Sequence, residues 1–290
     1  MDTNVIRSIE VARLPRGNYA NHLCGWRNRR PLAAGEAGPD IVVQPGEAAA
    51  YPAQVRNGDS LVPVVAGEQL TERQAPEALL LPSADNMAWI LARWDAGSQA
   101  AFTARMNTTA RHLGMTATHY TDPSGLSAAT TSTAADQIRL GMAAMHEPAL
   151  AQIVALRSAA IPVAGAVRNL NTLLGRDGIT GIKTGSDTAA GGCILLAAWQ
   201  RVRGHDTIIV AATFGQPGTM ATMLPRALQA GHQLVLALGR ALAGRSAQPT
   251  SNKKAGQHPA HRRRHGARAG CCPPPEPPGV PATAEPRAAR

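Results

Sequence analysis

The sequence predicts an α+β fold, in which helices pack on an antiparallel sheet and a helical lobe lies beside it. Helical segments fill the middle of the chain, β-rich segments are grouped on either side of them, and no alternating βαβ units are seen. The 290 residues suffice for one large domain or two small ones, with ample material for a core.

Short strands are predicted around residues 40–43 and 60–65, with turn residues between them. An apolar stripe at helical spacing follows, with Thr71 as its N-cap. Pro76 and Pro82 should break this stripe into two helical pieces, because proline interrupts a helix. The second of these pieces and the later helices are predicted over residues 83–94, 98–113, 133–147, 148–159 and 219–242.

From about residue 161 the hydrophobic pattern changes to that of strands. The runs GITGIKTGSD, GGCILLAAWQRV and HDTIIVAATFG are rich in β-formers and are joined by short polar turns, of which Arg203-Gly204-His205 is one. This arrangement predicts an antiparallel meander. Cys193 lies in the apolar run CILLAAW and is interpreted as a small buried hydrophobe.

Charge divides the chain into three parts. Residues 1–30 and residues 246–290 both have a clear excess of basic side chains, which accounts for the formal net charge of +10. Residues 31–245 are close to neutral. The basic character of the whole chain therefore says little about what the central part binds.

Residues 246–290 form a tail rich in proline and arginine with no hydrophobic period, and we expect it to be disordered. The spacing of its histidines and cysteines matches no zinc pattern, so no metal and no cofactor is predicted. The run HRRRH could contact nucleic acid or an anionic surface. A nucleic acid partner is not expected, because aromatic residues make up only 3% of the chain and form no stacking pattern.

Residues 1–30 show neither the apolar core of a signal peptide nor a period typical of a helix or strand. No segment of the chain reaches the roughly 18 apolar residues that a membrane span requires. We therefore expect residues 1–30 to be unrelated to the central domain.

Lys183, in the stretch GIKTGSD, is one of only three lysines; the other two, Lys253 and Lys254, lie in the tail. A single lysine between two strand-like segments indicates either an exposed surface residue or a cation with a specific task. Ser83 likewise has two interpretations. It lies where the N-cap of a predicted helix would be, so it could simply cap that helix, or its hydroxyl could have a functional task.

Four stretches, read together, favour the functional interpretation: PSADNMAWILARW, RHLGMTATHYTDPSGLS, GIKTGSD and TIIVAATFG. In order and separation they resemble the serine D-alanyl-D-alanine carboxypeptidases, low-molecular-weight penicillin-binding enzymes that share the fold of class A β-lactamases. The resemblance covers about residues 31–244 and is strongest to versions from high-GC, actinobacterial sources. It implies an enzyme of the cell envelope that trims the terminal D-Ala of peptidoglycan stem peptides.

The resemblance also assigns roles to particular residues. Lys183 would bind the terminal carboxylate of the substrate, and Ser83 would relay a proton to the leaving amine. The backbone N–H of Ser186 would donate to the oxyanion. The remaining substrate-binding positions would be Asp85, Asn86, Thr184 and Gly185, with Asp85 standing where the family more often has asparagine.

One expected motif is missing. The family's nucleophile is the serine of a Ser-x-x-Lys motif, which should lie near residues 8–20, yet no lysine precedes Lys183. The only match to this pattern, residues 251–254, falls in the tail. We interpret residues 1–30 as the product of a frameshift or a misplaced start, and residues 31–245 as an N-terminally truncated domain with little or no turnover. β-Lactams would bind covalently only if a nucleophile exists.

Three other functions stay open at this point. The chain could be a non-catalytic relative that still binds peptides ending in D-Ala-D-Ala. It could bind nucleic acid or an anionic surface through its basic ends. A β-lactamase is a minor possibility, because nothing in the sequence identifies the additional acid that deacylation needs.

Overall fold

The computed structural model describes residues 32–244, and the segments 1–31 and 245–290 lie outside the described residues. Within this range the predicted α+β class is confirmed. The helices are α1 (Pro45–Asn57), α2 (Gln74–Leu80), α3 (Asp85–Ala96), α4 (Gln99–His112), α5 (Ala134–Met145), α6 (Pro148–Ala155) and α7 (Met220–Gly244). The strands are β1 (Asp40–Val42), β2 (Gln69–Thr71), β3 (Ser158–Ile161), β4 (Gly165–Arg168), β5 (Ile179–Asp187), β6 (Gly191–Val202) and β7 (His205–Gln216).

The main sheet is the antiparallel meander that the sequence predicts. Its strands lie in the order β5-β6-β7, so that β5 and β7 are its edges. The hairpin between β6 and β7 turns at Arg203 and Gly204, whose φ angles of 52° and 83° are both positive. Two successive left-handed residues match the twist of the flanking strands, which explains why glycine stands here.

Both faces of the sheet are covered. Ile194, Leu196 and Ala198 of β6 share a hydrophobic cluster with α7. Leu195 and Ala197, which alternate with them, belong to the core on the opposite face, where α5 and α6 pack. This double burial explains the continuous apolar run in β6, since an antiparallel strand with one wet face would alternate.

Cys193 is 2% exposed and lies in the buried part of β6. Burial raises the pKa of its thiol to about 11, because the charged thiolate would be poorly solvated there. The interpretation of Cys193 as a small buried hydrophobe is confirmed.

Two smaller antiparallel pairs complete the strands. β1 pairs with β2, and β3 pairs with β4. Among the described residues no helix combines the length and the apolarity needed to cross a lipid bilayer.

The strand predicted over residues 60–65 is wrong, and β2 is the partner of β1 instead. The alternation that suggested a strand is real, since Val62 and Val64 are buried. The backbone of Val62, however, pairs with a side chain: its N–H donates to Asn86 Oδ1 and its C=O accepts from Asn86 Nδ2, at 3.3 and 2.8 Å. Pro63 also removes a donor that a ladder would use.

Helix α1 was not predicted because it buries none of its residues and therefore shows no hydrophobic stripe. Its start is marked by Glu47, whose side chain accepts from the N–H of Gln44 at 2.8 Å. Arg93 of α3 donates to the same carboxylate at 2.6 Å and to the Val42 carbonyl at 2.9 Å. These polar contacts attach α1 to α3.

Three other boundaries differ from the prediction. Pro76 lies in the first turn of α2, where backbone N–H groups have no acceptor within the helix. The N–H that proline lacks would therefore make no helical hydrogen bond, and Pro76 does not break α2. The N-cap of α2 is Arg73 rather than Thr71. The helix predicted over residues 148–159 ends at Ala155, and the following residues enter the β3–β4 hairpin.

The close contact between β6 and α7 predicts a specific sensitivity. A β-carbon at Gly192 would meet the backbone carbonyl of Met223, which cannot move without shifting the helix. We expect Gly192→Ala to lower the free energy of unfolding by about 1–3 kcal/mol, the usual cost of overpacking. Gly46→Ala is the matched control, because nothing lies within 4 Å of a β-carbon there. Urea denaturation of both variants checks this, and equal stability would contradict the packing of α7 on the sheet.

Candidate active site

Lys183 lies on the edge strand β5, and its side chain is buried, with the residue only 5% exposed. The alternative of a surface lysine is therefore wrong. Its Nζ donates to Ser83 Oγ at 2.6 Å and to the backbone carbonyl of Thr184 at 2.7 Å. A buried ammonium group needs such partners, because its transfer out of water is otherwise too costly.

Ser83 lies in the turn between α2 and α3 and has a positive φ of 63°. The N-cap of α3 is Ala84, so the alternative that Ser83 caps this helix is wrong. A left-handed backbone is uncommon for serine and usually persists only where surrounding contacts enforce it. The hydroxyl of Ser83 is thereby free of a capping role and meets Lys183.

The start of α3 is fastened to the segment 60–62. The N–H of Asp85 donates to the Ser60 carbonyl at 2.6 Å, and Asp85 Oδ2 accepts from the Ser60 N–H at 3.0 Å. Asn86 holds Val62 through both ends of its amide. These contacts keep the Asp85 and Asn86 side chains buried, so that both residues are only 3% exposed. The substrate-binding role of the two residues stays a prediction, and the observed contacts give them a structural one.

Accessibility increases along β5 towards its end. Thr184 is buried, with 4% exposure, whereas Gly185 and Ser186 are half-buried. Ser186 lies opposite Gly192 in the register with β6. Among the described residues β5 pairs with β6 alone, so its other edge is free of strand partners. An extended peptide could therefore approach the chain at Gly185 and Ser186.

The segment 169–174, which sequence analysis did not single out, touches both sides of the site. The N–H of Leu170 donates to the Leu81 carbonyl at 3.1 Å, and Asn171 Nδ2 donates to the Gly181 carbonyl at 3.4 Å. No sequence signal pointed to Asn171, because an asparagine in a loop is usually a turn residue.

The motif DPSGL forms a loop of its own between α4 and α5. Both carboxylate oxygens of Asp122 accept hydrogen bonds, Oδ1 from Ser124 and Gly125 and Oδ2 from the N–H of Ser127 at 3.0 Å. Ser124 is only 5% exposed. The residues of this motif thus account for the shape of the loop.

The site joins a buried cation, a serine hydroxyl and a half-buried strand edge. Such a set can bind the carboxylate of a peptide and can pass a proton between oxygen and nitrogen. Lys183 is the only lysine among residues 32–244, so no second lysine is present there to activate a serine.

The left-handed conformation of Ser83 predicts that two substitutions differ in stability. Ser83→Gly and Ser83→Ala both remove Oγ, but only glycine adopts a positive φ without steric cost. We expect Ser83→Gly to be more stable than Ser83→Ala by about 1 kcal/mol, near the penalty for a left-handed L-residue. Chemical denaturation measures the difference, and a glycine variant no more stable than the alanine variant would contradict the strain.

Comparison with known proteins identifies the fold and the family. Two relatives are D-alanyl-D-alanine carboxypeptidases: one from Streptomyces sp. strain K15 is 31% identical over 172 residues, covering 53% of this chain and 58% of that protein. The other, DacB2 of Mycobacterium tuberculosis, is 38% identical over 161 residues, covering 53% and 54%. The chain thus spans little more than half the length of the curated relatives it matches.

Solved structures give the same fold. The Streptomyces K15 DD-transpeptidase superposes with a TM-score of 0.64 at 22% identity, covering 82% of this chain and 88% of that one. A penicillin-binding protein homologue from Mycobacterium tuberculosis gives 0.62 at 28% identity, covering 85% and 87%.

The family model described as D-alanyl-D-alanine carboxypeptidase, peptidase S11, matches residues 32–214. This range contains Ser83 and Lys183 and all of the described fold up to the last two residues of β7 and the final helix. The chain therefore belongs to the S11 family of D-alanyl-D-alanine carboxypeptidases.

Proposed function

We propose that this chain is a serine-type D-alanyl-D-alanine carboxypeptidase domain that binds peptidoglycan stem peptides ending in D-Ala-D-Ala. The observation that carries the proposal is the 2.6 Å contact between Lys183 Nζ and Ser83 Oγ at the edge of the sheet. It puts a buried positive charge and a hydroxyl where a peptide lying along β5 would end. The family suggests the substrate class, and this contact supports a site for the substrate carboxylate beside Lys183.

Each residue of β5 then has a task that follows from its chemistry. Lys183 attracts the terminal carboxylate, and the Thr184 hydroxyl donates to it. Gly185 lets the peptide backbone lie against the strand because it has no side chain. The N–H of Ser186 stabilises the oxyanion that forms at the scissile carbonyl. Ser83 passes a proton to the nitrogen of the departing D-alanine.

The sequence before Ser83 contains no motif that would supply the nucleophile for the covalent part of the reaction. Acyl transfer needs a serine activated by a base, and no Ser-x-x-Lys precedes Ser83. Lys183 contacts Ser83 but is needed as the cation for the carboxylate. We therefore propose that the 290-residue chain binds the peptide and releases little or no D-alanine.

The proposed place of action is the cell envelope, where the substrate of the family is found. This proposal rests on the family alone. Release of D-alanine distinguishes catalysis from the binding without turnover that is proposed here.

The role of Lys183 predicts the effect of removing its charge. We expect Lys183→Ala to weaken binding of a D-Ala-D-Ala peptide by about 10- to 150-fold, since a hydrogen bond to a charged group contributes about 1.5–3 kcal/mol. Arg201→Ala, which removes a positive charge from an exposed position of β6, is the control and should bind like the parent chain. Isothermal titration calorimetry measures both affinities.

A peptide with a terminal carboxamide sharpens this experiment. If Lys183 binds the carboxylate, amidation weakens binding to the parent chain but has little further effect on Lys183→Ala. Equal losses from amidation in both proteins would show that Lys183 does not contact the carboxylate.

The missing motif predicts the result of penicillin labelling. We expect a fluorescent penicillin to form no covalent adduct with the chain, and the D-Ala-D-Ala peptide to release no D-alanine above background, because no activated serine is available. A carboxypeptidase that retains Ser-x-x-Lys serves as the positive control. A stable adduct would overturn the prediction, and peptide mapping would then identify the reacting serine.

A further inference from the structure

The segment 169–174 links the two elements that bring Ser83 and Lys183 together. It follows β4 and leads to the short turn Arg176–Gly178 before β5. The N–H of Leu170 donates to the carbonyl of Leu81, two residues before Ser83. The side chain of Asn171 donates to the carbonyl of Gly181, two residues before Lys183. One short segment therefore holds the backbone on each side of the site.

Asn171 uses both ends of its side chain. While Nδ2 reaches Gly181 at 3.4 Å, Oδ1 accepts from the N–H of Leu173 at 3.1 Å. Its own N–H donates to Asn169 Oδ1 at 2.9 Å. The Asn171 residue is only 3% exposed, so its side chain forms hydrogen bonds with these partners instead of with water. Losing one partner would leave a buried polar group unsatisfied.

Asn169 anchors the segment from the other direction. Its Nδ2 donates to the carbonyls of Val154 and Leu156, at 3.2 and 3.0 Å, at the end of α6. The segment is thus fixed to α6, to the turn before α3 and to β5. Because the segment is attached to all three elements, it can hold the turn before α3 and strand β5 at a constant separation.

We propose that Asn171 is a positioning residue that fixes Lys183 relative to Ser83 through its hydrogen bond to Gly181. The amide is required because it supplies a donor for Gly181 and an acceptor for Leu173 on one short side chain. An aspartate of the same shape keeps the acceptor and loses the donor. The effect on peptide affinity rests on the proposed function, whereas the effect on Lys183 itself does not.

The test follows the Lys183 ammonium directly. Isotope labelling of lysine alone gives few NMR signals because the chain has only three lysines, and Lys183→Arg identifies the relevant one. In Asn171→Asp we expect the Lys183 Nζ signal to shift and the affinity for a D-Ala-D-Ala peptide to fall about two- to tenfold, the value of one hydrogen bond. A residue with only a structural role would lower the melting temperature without moving this signal.

Asn107→Asp is the matched control. Asn107 Nδ2 donates to the Tyr120 carbonyl at 2.7 Å and Oδ1 accepts from the Tyr120 N–H at 2.8 Å, so the same substitution removes the same kind of bond. These bonds join α4 to the loop that follows it. We expect Asn107→Asp to leave the Lys183 signal in place.

Each outcome decides the proposal. A folded Asn171→Asp with an unmoved Lys183 signal overturns it, as does an equal shift in Asn107→Asp. If the parent chain binds no D-Ala-D-Ala peptide, the proposed function fails while the Lys183 signal still tests the positioning role. If Asn171→Asp does not fold, Asn171→Ser replaces it, since serine also keeps an acceptor. Failure of both to fold would make Asn171 a folding residue and overturn the proposal.

Discussion

The burial of Lys183 is the constraint on which the site depends. An ammonium group that is 5% exposed must find oxygen partners inside the fold, and it finds one in its own strand and one in Ser83. Ser83 is 100 positions away in the sequence. The contact therefore forms only when the sheet packs against the helices that precede it. The need of the buried Lys183 ammonium for an oxygen partner thus couples the sheet to these helices.

The partner of that cation is held by backbone contacts. Ser83 has a left-handed φ, and the residues on either side of it are fixed: Leu81 by Leu170, and Asp85 by Ser60. These hydrogen bonds hold the backbone around a conformation that serine alone would rarely adopt. The turn is thus a preorganised feature, in which local strain is offset by polar contacts from two distant segments.

Under the proposed function, recognition and acylation are separate in this chain. The residues that would hold the peptide lie on β5 and at the turn before α3, whereas the Ser-x-x-Lys motif that supplies the family's nucleophile has no match in the sequence before Ser83. Binding energy at β5 does not depend on a nucleophile, because it comes from charge and from the strand edge. Among the described residues, both faces of the three-stranded sheet that contains the recognition strand are buried.

The sequence by itself determined the α+β class and the meander of β5, β6 and β7, because strand periods are local signals. It also singled out Lys183 as a candidate site residue, because a solitary lysine is visible in the sequence alone. Helix α1, which buries no residue, gave no such signal, and the strand-like alternation of residues 60–65 was satisfied by the Asn86 side chain instead of a strand. Only the tertiary structure decided that Ser83 leaves the N-cap position and that Asn171 supports β5. Hydrogen bonds between residues distant in sequence fix both features, and no local pattern encodes such partners.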